Sequence, residues 1–207
     1  GDDPMLLSEM DPEKVSRANK AMAKAYKPAR ERITEFKINW NIVSWPGSAW
    51  ASRVFPDLPL DQAIVKLADA IFDASRASVD DPIKAWDDHN EKLRVKTNWL
   101  NEQNFAALKY SGPNTDLTVG LAHEHEWMGG ASRSQNGIIC NPNIPSEEVF
   151  TTPHAHKVDG TVCSTKPLSY QGTLIEDIKV TFKDGKIIES SASKGEKVLH
   201  KVLNSDE

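Results

Sequence analysis

The chain contains 207 residues, which is enough for one substantial domain or two small ones. With 39% hydrophobic and 27% charged residues, its composition fits a globular protein and argues against an intrinsically disordered chain. The formal net charge of −5 and the lack of a long basic or apolar run argue against a nucleic-acid partner and a membrane partner or span.

The first predicted element is a helix that begins at Asp11 and Pro12, a pair typical of helix starts. Pro28 falls inside this stretch and is expected to kink or split the helix, because proline lacks the backbone N–H that a helix interior uses. The apolar residues recur at three- and four-residue steps along one face of the helix. They are Val15, Ala18, Met22, Tyr26, Ala29 and Ile33.

Three further elements are predicted before residue 104. The segment FKINWNIVSW reads as a buried strand that ends at Pro46 and Gly47. LDQAIVKLADAIFDASR has the cleanest helical pattern, and DDPIKAWDDHNEKLRVKTNWLNEQ is a further helix that opens with Asp-Pro. The six tryptophans are expected in the core rather than in ligand stacking. They are Trp40, Trp45, Trp50, Trp86, Trp99 and Trp127.

From Asn104 onward the periodicity becomes that of strands. NFAALKYSG, TDLTVGLA and HEWMGGAS are predicted strands joined by turns. In SYQGTLIEDIKVTFKDGKIIESSAS, Val180 and Phe182 alternate with polar residues, and Asp184 and Gly185 close a hairpin. KGEKVLHKVLN is the last predicted helix.

This order of elements predicts an α+β fold of mixed helix and sheet layers. Helices come first and strands follow, without the regular alternation of βαβ units. We therefore predict a mainly helical segment over residues 1–103 and a strand-rich segment over residues 104–207.

Two short motifs place histidines two residues apart, His123 with His125 and His154 with His156. Alternate residues of a strand share a face, so either pair could offer two imidazoles to one zinc ion. The alternative is that they are polar residues at strand ends that face water. We favour that alternative, because no zincin spacing accompanies the pairs. The sequence also has no phosphate-binding glycine motif and no serine- or cysteine-hydrolase motif.

A second candidate is the pair Glu147 and Glu148 in the stretch NPNIPSEEVFTTPH. Neighbouring side chains of an extended chain point to opposite faces, so one carboxylate could bind a cation while the other faces solvent or a backbone amide. The prolines Pro142, Pro145 and Pro153 would stiffen the stretch. From the residues alone, a solvated loop tip is the simpler interpretation.

Five segments of the second half together closely resemble the thermophilic-aminopeptidase family of dimetal exopeptidases. They are GPNTDLTVGL, WMGGAS, CNPNIPSEEVFTTPH, VDGTV and STKPLSYQGTLIEDI. The helical half resembles the same family through AYKPARERITEF, VFPDLP and DDPIKAWDDHN. The resemblance runs in order along nearly the whole chain.

The resemblance implies a hydrolase, a metallo-aminopeptidase that removes N-terminal residues from peptides through a water activated by two divalent ions, zinc, cobalt or manganese. It also implies peptide substrates with a free N-terminus and a homodimer. It places a metal ligand at Glu148, with Glu147 as the fallback, and assigns no other catalytic or cofactor-binding residue to this chain. The four histidines above do not match the family's ligand motifs, and only His154, beside the motif, is kept as a further candidate.

In the family, the remaining ligands and an assisting tyrosine lie beyond the position of Glu207, and the first domain begins before Gly1. The chain is therefore expected to be an internal, inactive fragment of a larger two-domain enzyme. Residues 1–103 would be the remainder of the N-terminal domain and residues 104–207 the first part of the catalytic domain.

Two alternatives to a catalytic fragment are open from the sequence. One is a non-catalytic peptide-binding or dimerisation module of the same ancestry. The other is a mononuclear zinc hydrolase built on the histidine pairs. The two cysteines, Cys140 and Cys163, make no disulfide framework, so a cytoplasmic location is expected.

Overall fold

The computed structural model describes residues 6–7, 9–170 and 172–204, with the backbone alone at residues 12 and 13. Helices occupy the first part of the chain and strands most of the second, so the predicted mixture of helix and sheet is confirmed. The elements in chain order are α1 (Pro12–Thr34), β1 (Ile42–Val43), α2 (Ser48–Val54), α3 (Leu60–Ala74), α4 (Pro82–Gln103), β2 (Ala107–Gly112), β3 (Thr115–Leu121), β4 (Met128–Gly129), β5 (Ser132–Arg133), β6 (Ile139–Cys140), β7 (Asn143–Ile144), β8 (Val149–Phe150), β9 (Pro153–Cys163), β10 (Leu168–Tyr170), β11 (Thr173–Ile175), β12 (Lys179–Lys183), β13 (Lys186–Ser191) and α5 (Glu196–Leu203).

The chain divides into two compact units. The first contains the residues up to Trp99 together with Met128–Phe150. The second contains Leu100–Trp127 and the residues from Thr151 onward. The first unit is thus discontinuous in sequence, because a segment from the strand-rich half packs with the helical half. The domain boundary after residue 103 stays a prediction.

The core of the first unit lies between α2 and α3. Ala51 of α2 and Ala63 of α3 are fully buried, and such small side chains let two helices approach closely. Leu67 and Ile71 extend the buried face of α3 at four-residue steps. The helix predicted from this pattern is therefore present, and its apolar stripe faces the core.

The helix α1 is continuous through Pro28, so the predicted split does not occur. Proline removes one hydrogen bond to the carbonyl of Lys24, and this part of the helix is exposed along its whole length, so water can reach that carbonyl. The apolar face predicted for α1 is largely solvent-facing in this chain. Val15 is buried, whereas Met22 and Tyr26 are exposed.

The prediction of a buried strand in FKINWNIVSW is wrong in both length and burial. The strand β1 contains Ile42 and Val43 alone, and their side chains are 60% and 61% exposed. It pairs with β7 in a two-stranded parallel sheet, Ile42 opposite Asn143. Parallel strands are usually buried by elements on both faces of a large sheet, whereas the described residues form only two strands of this one.

Two of the six tryptophans are not core residues, which corrects the prediction for them. Trp45 is 70% exposed in the loop after β1, and Trp99 is 52% exposed on α4. The buried face of α4 is formed by His89, Leu93 and Thr97, and Trp99 lies off that face. Trp127, in contrast, is buried.

The second unit is built on an antiparallel sheet in the order β13-β12-β9-β3-β2. The predicted hairpin is confirmed: β12 pairs with β13 across a turn at Asp184 and Gly185, where φ is +50° and +79°. Two consecutive residues with positive φ suit the right-handed twist of the flanking strands. The buried apolar residues include Leu117 and Leu121 of β3 and Ile175 of β11. No helix within the described ranges is long and apolar enough to cross a membrane.

Candidate functional site

The stretch that carries the two glutamates is held at both ends. Before them, β7 pairs with β1, and the amide of Ile42 donates to the carbonyl of Pro142 at 2.8 Å. After them, β8 pairs with β4, Val149 opposite Gly129. Ser146, Glu147 and Glu148 therefore lie between two anchored strands of the first unit rather than at a free loop tip.

Glu147 is engaged by a cation from the end of α3. Its Oε1 lies 2.6 Å from Nη1 of Arg76. The contact with the Arg76 guanidinium is the main cause that holds the pKa of the Glu147 carboxyl below its ordinary value, against an opposing effect of burial. The Glu147 carboxyl therefore loses its proton at a lower pH than an ordinary glutamate does, which favours its pairing with Arg76.

His89 of α4 connects Arg76 to the backbone of the same stretch. Nη2 of Arg76 lies 3.1 Å from Nδ1 of His89, and a guanidinium can only donate. Nδ1 is thus the acceptor, and the proton of the neutral ring sits on Nε2. That Nε2 donates to the carbonyl of Ser146 at 2.6 Å. Arg76 and His89 together hold both Ser146 and Glu147.

Trp86 supports this pair from one side. The Arg76 guanidinium lies over the Trp86 ring, 5.2 Å from its centroid, and the His89 ring meets Trp86 edge-on at 5.5 Å. The indole N–H of Trp86 donates to the carbonyl of Ser75 at 2.8 Å, which fixes the ring. Arg76, Trp86, His89 and Glu147 form one connected cluster, called the arginine cluster below.

Glu148 is exposed like its neighbour but differs from it in its contacts. Its carboxylate makes no hydrogen bond or ion pair with any other residue that the structure describes. Of the two adjacent acids, Glu147 is occupied by the arginine cluster and Glu148 is available to an outside ligand.

Two other segments that carry the family resemblance lie against this stretch. DDPIKAWDDHN gives Trp86, His89 and Asn90, and Oδ1 of Asn90 accepts a hydrogen bond from the amide of Ala131 in WMGGAS at 3.0 Å. A Cβ on Gly129 would come within 2.8 Å of the carbonyl oxygen of Glu148. The glycine is therefore needed for β4 to pass close to the acidic pair.

The histidine pair at 123 and 125 does not lie on a strand, so the strand predicted for HEWMGGAS is wrong up to Trp127. His123 is exposed in a turn after β3. Nδ1 of His125 lies 3.0 Å from the carbonyl oxygen of Ala122, and its ring packs edge-on against Trp127. Glu124, with φ of +56°, bends the chain between the two histidines. The two imidazoles therefore do not share a strand face.

His154 and His156 do share one face of β9, with ring centroids 6.0 Å apart. The amide of His156 donates to Nδ1 of His154 at 3.1 Å, so that nitrogen is already an acceptor. Within the described part of the chain, no group of three or more histidine, cysteine, aspartate or glutamate side chains is placed to hold a metal ion. Cys140 and Cys163 are unpaired.

Arg76 and His89 are the residues that sequence reasoning missed. A signal for His89 was present, because it stands on the same helical face as Trp86 and Leu93, where an apolar residue would be expected. For Arg76 the signal was its place just after the end of a clear helix pattern, where glycine is the usual residue.

Known proteins of one family match this chain over nearly its whole length. A family profile described as thermophilic metalloprotease (M29) matches residues 1–207. Aminopeptidase T of Thermus thermophilus is 51% identical over 207 residues, which are 100% of this chain and 51% of that protein. Aminopeptidase 2 of Geobacillus stearothermophilus is 44% identical over 204 residues, 99% of this chain and 49% of that protein.

A solved structure of wild-type AmpT from Thermus thermophilus matches with a TM-score of 0.92 and 49% sequence identity. The match covers 100% of this chain and 51% of that structure. The chain therefore spans about half the length of the relatives that it matches.

Proposed function

The chain belongs to the thermophilic metalloprotease family M29, and on this basis we propose that the protein that carries it is a metal-dependent aminopeptidase. Relatives at 51% and 44% identity are named aminopeptidases, which supports a hydrolase that acts on peptides with a free N-terminus. Because the chain spans about half of their length, the proposed activity belongs to the whole protein.

The observation that carries the proposal is the free carboxylate of Glu148 on an anchored stretch. Carboxylate oxygen is a donor that zinc, cobalt and manganese all accept, so Glu148 fits one position of a metal site. We propose Glu148 rather than Glu147 as the ligand, because Arg76 already occupies the Glu147 carboxylate at 2.6 Å. One donor does not complete a site. The other ligands, as the resemblance implies, would lie outside this chain.

The proposed site holds two divalent ions in the intact enzyme. When bound, such a pair polarises the scissile carbonyl and makes a water nucleophilic at neutral pH. The role of this chain is to present the Glu148 carboxylate from a fixed backbone. Glu147 is paired with Arg76, so we expect it to compete less than a free carboxylate for the ions and for the α-amine of the substrate.

We also propose that the intact enzyme is a cytoplasmic homodimer and that this chain alone is inactive. The unpaired cysteines support a reducing compartment. Inactivity follows from the single candidate ligand in the described residues, since a two-ion site needs several donors.

The test compares three forms of the whole protein: wild type, Glu148→Gln and Glu147→Gln. The assay is release of the first residue from a peptide with a free N-terminus, with the N-acetylated peptide as the control substrate. We expect chelation to abolish release, a divalent ion to restore it, and the acetylated peptide to be resistant. Glu148→Gln should lower kcat by about 10²-fold or more, because a neutral amide is a poor metal ligand.

Glu147→Gln keeps the shape of the side chain and a neutral acceptor for Arg76, so it should lower activity much less than Glu148→Gln does. Wild-type activity in Glu148→Gln would contradict the assignment of Glu148. If the whole protein binds free N-terminal peptides without cleaving them, the non-catalytic module of the same ancestry becomes the better account.

A further inference from the structure

Arg76 stands in a backbone conformation that normally selects glycine. The helix α3 ends at Ser75, and Arg76 follows with φ of +58°. Its amide donates to the carbonyl of Asp73 at 3.0 Å, and the amide of Ala77 donates to that of Phe72 at 2.8 Å. These two hydrogen bonds define a Schellman turn with an arginine at the left-handed position. Any residue with a Cβ is strained there.

A residue with a strained backbone persists where contacts with the surrounding structure offset the strain. The Arg76 side chain is 24% exposed, and it ends in the arginine cluster, against Glu147, His89 and Trp86. Glycine at this position would relieve the backbone and lose every one of those contacts. The arginine therefore has a role in the folded protein that the helix end itself does not need.

The contacts of the arginine cluster converge on the two residues that precede Glu148. Arg76 holds the side chain of Glu147, and His89 holds the carbonyl of Ser146. On the other side, the pairing of Val149 with Gly129 holds the next residue. The backbone of Glu148 is fixed from both directions, while its own carboxylate has no partner among the described residues.

We propose that Arg76 and His89 are positioning residues, which hold Glu148 in place before a divalent ion binds. The inference rests on the proposed function of Glu148 and adds two residues to it. A ligand fixed in advance loses less conformational freedom on binding, and residues that orient a ligand typically change metal affinity by about 10- to 100-fold when they are removed.

The experiment uses Arg76→Gly in the whole protein, and the main measurement is the dissociation constant for zinc by competition with a chelator. Glycine suits the backbone at this position, so α3 should keep its end and the protein its fold. We expect zinc binding about 10- to 100-fold weaker than in the wild type. Arg76→Lys keeps the charge but loses the planar guanidinium. Its zinc affinity should therefore lie between those of the wild type and Arg76→Gly.

Two controls separate positioning from stability. Arg94→Ala removes a similar ion pair of the same unit, the one with Glu91 on the exposed side of α4, and should leave zinc affinity unchanged. Amide hydrogen exchange of the metal-free protein gives a second readout: Arg76→Gly should speed exchange at residues 146–150 and leave that of α3 unchanged.

The outcomes distinguish this inference from the proposed function. If Glu148→Gln loses zinc while Arg76→Gly binds zinc and exchanges like the wild type, the positioning role is overturned and the ligand stands. If Glu148→Gln keeps zinc, the ligand assignment itself fails. Should Arg76→Gly not fold, wild-type zinc affinity in Arg76→Lys and in His89→Ala would overturn the inference.

Discussion

Glu147 and Glu148 are chemically identical neighbours with different surroundings. The first is paired with Arg76, which holds its pKa below the ordinary value. Both side chains are exposed, but the carboxylate of the second has no partner among the described residues. A guanidinium already neutralises one charge, so a divalent cation gains more from the other carboxylate. The difference between the two residues is set by a contact from a distant helix end and not by the local sequence.

Asp159 of the VDGTV segment has a structural role at the residue scale. Its Oδ1 accepts hydrogen bonds from the amide of Asp184 at 3.1 Å and from Nζ of Lys183 at 3.0 Å. These two hydrogen bonds lower the pKa of the Asp159 carboxyl. The bond from the Asp184 amide has the larger effect and the bond from Lys183 the smaller. An aspartate whose folded pKa is lowered stabilises the protein at a pH above its unfolded pKa, about 3.9.

We predict that Asp159→Asn lowers the free energy of unfolding at neutral pH. The effect should vanish as the pH falls through the lowered pKa of the aspartate, because the wild type then loses the same charge. Unfolding by denaturant at a series of pH values measures the difference between the two proteins. The control is Asp177→Asn, a change of charge in the same unit at a residue whose carboxylate accepts from the Ser193 hydroxyl. A difference that stays constant down to the lowest pH would contradict the assignment.

At the residue scale, the sequence predicts the candidate ligand but not the residues that contact its neighbours. Glu148 could be proposed from its motif, since the motif is short and contiguous. The partners that give the stretch its geometry could not, because His89 and Ser146 are 57 residues apart in sequence. Arg76 also stands at a backbone position that favours glycine. Its presence there can be explained only once its contact with Glu147 is known.

The strand β9 contains a glycine that its neighbour requires. Gly160 has φ of +114°, and a Cβ there would overlap the carbonyl oxygen of Asp116 in β3. The two strands pair along this stretch, with Leu117 opposite Gly160. The glycine of VDGTV thus permits the close approach of two central strands.

We predict that Gly160→Ala lowers the free energy of unfolding by about 2 kcal/mol or more, because the new side chain meets a backbone atom and a disfavoured φ at once. The matched control is Gly112→Ala at the end of β2. A Cβ there has no neighbour within 4 Å, so the change should be within about 0.5 kcal/mol. Equal effects of the two substitutions, measured by denaturant unfolding, would contradict the account.

Elements with local patterns could be predicted, and elements with distant partners could not. The helix α3 and the hairpin β12–β13 follow from periodicity and a two-residue turn within one stretch of chain. The strand β1 depends on β7, and the nearby hydrogen bond from Asn41 to Asn141 spans 100 residues. The residues of FKINWNIVSW do not by themselves indicate that only two of them pair with β7 or that the apolar side chains stay exposed.

At the scale of the whole molecule, the family profile matches residues 1–207 and the match to the solved structure covers 100% of this chain. The described residues nevertheless contain no complete cluster of metal ligands. These observations fit the proposal that Glu148 is one ligand of a metal site whose other donors are not among the described residues. Gly160 of VDGTV and Gly129 of WMGGAS permit close packing against neighbouring strands, and NPNIPSEEVF carries the proposed ligand.

The most direct test of this account is the metal content per chain, by elemental analysis after dialysis against trace zinc and cobalt. The 207-residue chain and the whole protein are measured side by side. We predict near-zero metal in the chain and two ions in the whole protein, with loss of metal from the whole protein in Glu148→Gln. One or two ions held tightly by the 207-residue chain alone would contradict the account and would point to the histidine pairs instead.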